Sequence, residues 1–389
     1  MKRSVLLLTN TYPDFKDSYR GIFIKKMAEL LHGDGYEVSV VTPKIYTKSR
    51  YYEEQNGLKV YRFPFFTRNK LLIEYKKVPY LKMIFYYISG FFFTIYLMVK
   101  NHCNLVHVHW AIPPGLIGVW AGRLLRKPIV LTIHGSDFRM ARGGSRILKK
   151  IFLYVCQRAR QIICVSEIQA DGIKKMGVEG GKISVIPMGV DERFLEVGKD
   201  REKQSNSEGH IVLSNRNLLP LYNVSLLIRA IPKVIHEEPK VKFFIAGDGP
   251  ERKKLEREVE NLNLSTSVKF LGKISHKEMP NLLAQSDIYV STSPYDGTSV
   301  SLLEAMAAGA FPIVTDIPAN REWIINGKNG FLVSENEEIF LANKIIDAIR
   351  NRDLLRKSQT KNQLIINQKA LLSENIKKMK QIYSNILRY

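Results

Sequence analysis

Two carboxylates eight residues apart, Asp296 and Glu304, mark the stretch S-P-Y-D-G-T-S-V-S-L-L-E-A-M-A-A-G at residues 293–309. Pro294, Asp296 and Gly297 favour a turn, Leu302 to Ala308 favour a helix, and Gly309 is a helix stop. One acid therefore precedes a helix N-terminus and the other lies inside the helix. If Thr298, Ser299 and Val300 open that helix, their N–H groups and the helix dipole favour an anion there, with a phosphate or diphosphate as the obvious candidate. Glu304 is then within reach of a polyol attached beyond the phosphate, and Asp296 of a hydroxyl-rich group on its other side. Such bracketing suits a sugar nucleotide. The plain alternative is that Asp296 caps its turn and Glu304 faces solvent.

Other residues point the same way. Gly247 and Gly249 belong to G-D-G-P, a strand-to-helix loop that faces a ligand in many α/β folds but is weak alone. Arg216, in S-N-R-N-L-L-P, ends a strand where a guanidinium could face a diphosphate bidentately. His134, in L-T-I-H-G-S-D, lies just past another strand, ahead of Gly135 and Asp137. A lone histidine is commonly structural, but the carboxyl end of a strand is where such folds bind ligands. No D-x-D and no His/Cys cluster has ligand spacing, so no metal site is expected. Leaving-group charge would fall to Arg216 and the helix N–H groups.

The elements that must position these residues alternate. Val5–Leu8, Glu37–Val41, Leu105–His109, Ile129–Ile133 and Gln161–Val165 read as strands, with helical patterns such as Phe23–Leu31 and Leu116–Leu125 between them. A second series runs through Ile211–Leu213, Val241–Ala246, Val268–Phe270, Ile288–Val290 and Phe311–Val314. The alternation predicts parallel sheets built from βαβ units. The expected organisation is an N-terminal acceptor-binding domain over 1–196 and a polar linker at 197–209. A nucleotide-sugar-binding domain over 210–365 follows, and residues 366–389 form a C-terminal helix packing back on the first domain. Two domains of roughly 180 residues suit a chain of this length.

Composition limits the partners. Of 389 residues, 45% are hydrophobic and 25% charged, as in soluble globular proteins. Cys103, Cys156 and Cys164 sit in apolar runs and read as reduced, buried thiols of a cytoplasmic protein. The N-terminus M-K-R-S-V-L-L-L reads as a first strand and not as a signal peptide. The net charge is +22, and residues 1–195 hold 31 Lys and Arg against 14 Asp and Glu. A basic first half predicts an anionic partner: a lipid surface, a nucleic acid or a phosphorylated substrate. A nucleic-acid reading lacks a recognition helix, stacking aromatics or zinc spacing. Met83–Val99 contains 17 uncharged residues between Lys82 and Lys100, with Gly90 near its centre. It reads as a buried or half-buried domain helix, with a membrane-surface helix as the alternative and a span disfavoured by its length. Lys70, Lys76, Lys77 and Lys82 beside aromatics suit anionic headgroups.

Together these residues resemble the family 4 (group 1) retaining glycosyltransferases. That family carries E-G-F-G-x-x-x-x-E-A-M-A-x-G, matched here by D-G-T-S-V-S-L-L-E-A-M-A-A-G. The resemblance extends to G-D-G-P at 247–250, T-x-H-G at 132–135, V-I-P-M-G-V-D at 185–191 and N-G-K-N-G-F-L-V at 326–333. T-Y-P-D-F-K-D-S-Y-R-G-I-F with H-V-H-W-A-I-P-P-G resembles members that build capsular, teichuronic and related surface polysaccharides. The resemblance implies an α/β GT-B fold, two doubly wound Rossmann-like domains facing a central cleft. By the same resemblance Asp296 holds donor-sugar hydroxyls, Glu304 binds the nucleotide ribose, and the N–H groups of Ser299 and Val300 with Arg216 face the diphosphate. His134 would contact the donor sugar near the reacting carbon and Gly21 would line the cleft. Gly272, Lys273 and Ile274 would meet the base.

Two departures bear on the donor. A lysine usual in the family is replaced by Tyr222, which leaves one formal positive charge in that segment, and the first acid is Asp instead of Glu. The implied reaction transfers a hexosyl unit from a nucleoside-diphosphate sugar to a hydroxyl on a glycan or lipid-linked acceptor, with retention. It needs no cofactor beyond that co-substrate. The enzyme would sit peripherally on the inner face of the cell membrane. A GT-B sugar-nucleotide epimerase or hydrolase is the rival.

Overall fold

A computed structural model of the chain describes residues 3–15, 18, 20–67, 69–70, 75, 79–199 and 209–387. Lys76, Lys77 and linker residues 200–208 lie outside the described residues. The chain divides into two compact units, one of Met1–Pro187 with Glu374–Tyr389, the other of Met188–Ser373.

The first unit is built on eight strands: β1 (Arg3–Leu8), β2 (Tyr36–Pro43), β3 (Tyr52–Gln55), β4 (Leu58–Phe63), β5 (Leu105–His109), β6 (Ile129–Ile133), β7 (Gln161–Cys164) and β8 (Ile183–Val185). They form one sheet in the order β3-β4-β2-β1-β5-β6-β7-β8. All pairs are parallel except the edge hairpin of β3 and β4. Val5, Leu6, Leu7 and Leu8 are wholly buried because β1 lies mid-sheet with both faces covered, which is why it reads as an unbroken apolar run. The hairpin turns on Asn56 and Gly57, both at positive φ, the signature of a two-residue turn.

The second unit carries β9 (Ile211–Ser214), β10 (Lys242–Ala246), β11 (Val268–Gly272), β12 (Ile288–Ser291), β13 (Phe311–Thr315) and β14 (Phe331–Val333). The order is β11-β10-β9-β12-β13-β14, parallel throughout. Both sheets are doubly wound, and in the second the winding reverses between β9 and β12. A reversal of this kind opens a crevice at the strand carboxyl ends.

The unit boundary falls earlier than the polar composition suggests. Residues 197–199, expected in the linker, end a helix, Glu192–Lys199, that belongs to the second unit. Its Phe194 and Leu195 are buried in one cluster with Leu302, Leu303 and Met306. Val190 N donates to Ala370 O at 2.8 Å, which ties the end of the V-I-P-M-G-V-D segment to this unit, while its Val185 ends β8 of the first. The C-terminal region is also two helices, Arg352–Lys369 and Leu372–Leu387, and the part within the first unit starts at Glu374, not 366.

Met83–Val99 lies in a 21-residue helix, Tyr80–Lys100. Its length and its mean hydropathy of 1.5 would allow a span. One face, with Tyr86, Gly90, Thr94, Leu97 and Met98, is buried in the first unit, so the helix is half-buried. Gly90 admits Ile117, whose Cδ1 stands 2.7 Å from where a Cβ would be.

Candidate active site

In the second unit, Arg216 follows β9 and Asp296 follows β12, so the winding reversal places them side by side. Arg216 Nη2 donates to Asp296 Oδ2 at 2.7 Å and Nη1 donates to Ser299 Oγ at 2.7 Å. Ser299 is also the N-cap of the helix Val300–Ala308, its Oγ accepting from Leu302 N at 3.3 Å. The helix begins at Val300, with Thr298 and Ser299 ahead of it. Amides at its start have no acceptor in a preceding turn.

Arg216 is 7% exposed, and its guanidinium lies over the Tyr222 ring at 4.2 Å. Burial pulls its pKa down, but Asp296 and the phenols of Tyr289 and Tyr222 hold it above the ordinary arginine value. The arrangement is electrically lopsided. A guanidinium and the positive end of a helix share one pocket, and Asp296 is the carboxylate paired with them. The helix N-terminus favours negative charge, and the guanidinium has five donors to offer.

The bidentate approach expected of Arg216 is modified, because its two terminal nitrogens already hold Asp296 and Ser299. Tyr222, in the lysine position, presents its ring face to Arg216. Tyr289, on β12, adds a phenol that the strand pattern gave no reason to single out.

The glycine loops fix this geometry by close approach. A Cβ on Gly247 would come 2.2 Å from Arg216 O, and one on Gly249 would come 2.4 Å from Leu218 O. The loop is stitched in place by Leu218 N to Asp248 O (3.0 Å) and Glu251 N to Leu218 O (3.0 Å). Gly247 N donates to Gly272 O at 2.7 Å, and Gly272 adopts φ 68°, so the Gly272-Lys273-Ile274 loop joins the cluster. Lys273 is exposed and Ile274 half-buried.

Glu304 is 8% exposed on a helix otherwise buried nearly all round, which rules out the solvent-facing alternative. His276, absent from the expected set, brings Nδ1 to 3.9 Å from Glu304 Oε1. Its position in a loop beyond β11 carries no sequence signal.

Gly21 and His134 belong to the first unit. Gly21 caps the helix Ile22–Gly33 at φ 62°, and a Cβ there would meet Thr11 O at 2.6 Å. His134 packs against the tilted rings of Trp110 at 4.3 Å and Phe23 at 5.3 Å. Its Nε2 shares a hydrogen bond with His109 Nδ1 at 2.9 Å. His107, two residues before on the same face of β5, bonds Tyr383 Oη at 2.5 Å and Thr132 Oγ1 at 2.7 Å. Burial pulls His107 and His134 each down to about 3, and His109 well below its ordinary value. All three imidazoles are neutral at physiological pH.

Asp137 fastens this corner. Its carboxylate accepts from Ala111 N (2.8 Å), Gly135 N (3.2 Å) and Phe138 N (3.0 Å). Burial nevertheless pushes it up to about 6, against the lowering effect of those amides. His107, His109 and Asp137 are positioning groups that a search for catalytic spacing passes over. Among the described residues no three His, Cys, Asp or Glu cluster as metal ligands would.

The two units match separate family models, Glycosyltransferase Family 4 over residues 21–194 and Glycosyl transferases group 1 over residues 198–366. The chain is 28% identical over 306 residues to a UDP-Gal:alpha-D-GlcNAc-diphosphoundecaprenol alpha-1,3-galactosyltransferase of Escherichia coli, covering 75% of this chain and 78% of that one. It is 24% identical over 295 residues to an N-acetyl-alpha-D-glucosaminyl L-malate synthase of Bacillus anthracis, covering 74% and 76%. Among solved structures, Anabaena HepE in complex with UDP superposes with a TM-score of 0.76 at 19% identity, covering 99% of this chain and 100% of that one.

Two Rossmann-like parallel-sheet units in one chain define the GT-B fold. The chain belongs to the group 1, family 4 glycosyltransferases.

Two predictions follow from the site. Tyr222→Phe keeps the ring under Arg216 and retains donor kcat/KM within about threefold. Tyr222→Ala loses about tenfold, the order expected for a desolvated cation–π pair. Steady-state kinetics across the two variants separates the ring from the hydroxyl.

The second concerns pH. A histidine held below its unfolded pKa near 6.5 contributes stability above that pH and loses it as pH falls, because the unfolded chain takes up the proton first. Asp137, held above its unfolded value, acts oppositely between about pH 6 and 4. Three histidines outweigh one carboxyl, so the unfolding temperature should fall by several degrees from pH 7 to 5. His107→Gln/His109→Gln should flatten that slope in calorimetry.

Proposed function

We propose that the chain transfers a hexosyl unit, with retention of anomeric configuration, from a nucleoside-diphosphate sugar to a hydroxyl of a lipid-linked or surface-polysaccharide acceptor. The observation that carries this reading is the buried Arg216 beside the N-terminus of Val300–Ala308, with Asp296 and Glu304 on either side. A diphosphate answers the surplus positive charge. Glu304 then takes the ribose hydroxyls, Gly272–Ile274 the base, and Asp296 the sugar hydroxyls. The names of relatives support the class: the Escherichia coli relative is a UDP-Gal transferase acting on a diphosphoundecaprenol-linked sugar, and HepE was solved with UDP.

In the reaction, the acceptor oxygen bonds the anomeric carbon as the bond from that carbon to the phosphate oxygen breaks. The proton of the acceptor hydroxyl passes to the departing diphosphate oxygen on the same face, and Arg216 with the helix amides stabilises the growing negative charge. Retention is then achieved without a protein nucleophile. We read this charge stabilisation as needing no metal. His134, neutral, exchanges hydrogen bonds with a sugar hydroxyl and contributes no charge. We place the enzyme in the cytoplasm, peripherally on the inner face of the membrane, where a lipid-linked acceptor lies. The basic first half and the exposed face of Tyr80–Lys100 support that placement.

A thermal-shift panel of UDP-, GDP- and ADP-sugars tests the donor, since a bound ligand raises stability with occupancy. One nucleotide series should raise the unfolding temperature, and Glu304→Ala should weaken its affinity about 100-fold, the scale of two charge-assisted hydrogen bonds. Unchanged affinity removes Glu304 from the ribose. His134→Ala should lower kcat more than donor affinity. Donor turnover without acceptor, at the rate seen with it, would favour the epimerase or hydrolase reading.

A further inference from the structure

On the first unit, the helix Tyr80–Lys100 leaves one face unpacked. Leu81, Ile84, Ile88, Phe92, Tyr96 and Val99 are each more than half exposed, at spacings of three and four residues that form a single stripe. The stripe continues sideways. Phe91 and Tyr87 meet the Trp120 ring at 6.3 and 6.4 Å, and Trp120 with Leu124, one turn on, shows a second exposed apolar edge.

Arg123, on the same helix as Trp120, opens a recess of about 700 Å³. Arg126, Lys127, Arg158, Arg160 and Lys182 line it too, with no carboxylate among its lining residues. Of these cations, among the described residues, only Lys182 has an acid within 4 Å, Glu179 at 3.7 Å. The recess lies at the amino-terminal edge of the sheet, where Pro128 leads into β6, Arg160 into β7 and Lys182 into β8. His134 lies past the opposite, carboxyl end of β6.

We propose that this continuous surface seats the first unit on an anionic phospholipid bilayer. The stripe enters the interfacial region, and the recess takes the phosphates of lipid headgroups. The proposal rests on the membrane placement above and assigns the residues that make it. Charge selects the occupant: the residues that offer apolar side chains adjoin six cations with no acid in their recess, a pairing that suits acyl chains beside phosphates. The buried opposite face of the helix keeps it in the plane of the membrane. The Phe91–Phe92–Phe93 cluster is divided by this geometry, because only Phe92 faces outward while Phe91 and Phe93 pack on the core.

Co-sedimentation of the full chain with vesicles tests the assignment. Wild type should bind phosphatidylglycerol-rich vesicles, and bind pure phosphatidylcholine vesicles at least tenfold less tightly. Ile88→Ser/Phe92→Ser and Arg126→Gln/Arg158→Gln/Arg160→Gln should each weaken binding to the anionic vesicles at least tenfold. Both variants should unfold within a few degrees of wild type and transfer sugar to a water-soluble acceptor at the wild-type rate. Undiminished vesicle binding by both folded variants overturns the proposal, as does equal affinity for the two lipids. A dimer in sedimentation equilibrium that both variants dissolve also overturns it, by giving the surface to a second copy. If the variants lose the vesicles but wild type transfers sugar to no acceptor, the docking surface stands and the glycosyltransfer reading falls.

Discussion

A single buried cation organises the second unit. Arg216 lies at the positive end of a helix, the least favourable side for a guanidinium, and it is kept there by Asp296, Ser299 and the face of Tyr222. Each neighbour has a further duty. Ser299 caps the helix, Asp296 ends the turn, and Gly247 and Gly249 are glycine because the backbone leaving Arg216 runs too close for any side chain. The position of one charge thus explains three motifs scattered over eighty residues.

The first unit solves a different problem with neutral groups. His107, His109 and His134 form a row of packed rings, the last two stacked and hydrogen-bonded, that is uncharged through the physiological range, and Asp137 fixes the two loops at its end. In the proposed reaction such a row would give a sugar hydroxyl a rigid, uncharged partner able to donate or accept. The contrast between the units follows the chemistry proposed for them. In that proposal the guanidinium of the second unit faces phosphates and the neutral imidazole of His134 faces a sugar hydroxyl.

Much of this is legible in the sequence, for physical reasons that can be named. Buried parallel strands such as Val5–Leu8 and Phe311–Val314 must be continuous apolar runs, and Gly309 ends its helix in the left-handed region as its position after Ala308 implies. The hairpin at Asn56–Gly57 is hard to read from the sequence although its turn chemistry is on view, because Y-E-E-Q and L-K-V-Y hold few apolar residues. The unit boundary lies ahead of the polar stretch because polarity marks solvent exposure and not where contacts change sides. The polar stretch begins at the end of the helix Glu192–Lys199, yet Phe194 and Leu195 commit that helix to the second unit. The pairing of Arg216 with Asp296 depends on two strands eighty residues apart becoming neighbours, which no local spacing encodes.

The return of the chain to its first unit has a consequence for synthesis. Tyr383 bonds His107 and packs on Tyr36, so the helix that completes the first sheet's flank leaves the ribosome after the whole of Met188–Ser373. The second unit is one uninterrupted segment, whereas the first is split into two segments on either side of it. The unit that begins first is therefore finished last, and its row of imidazoles waits for the final helix to reach its full burial.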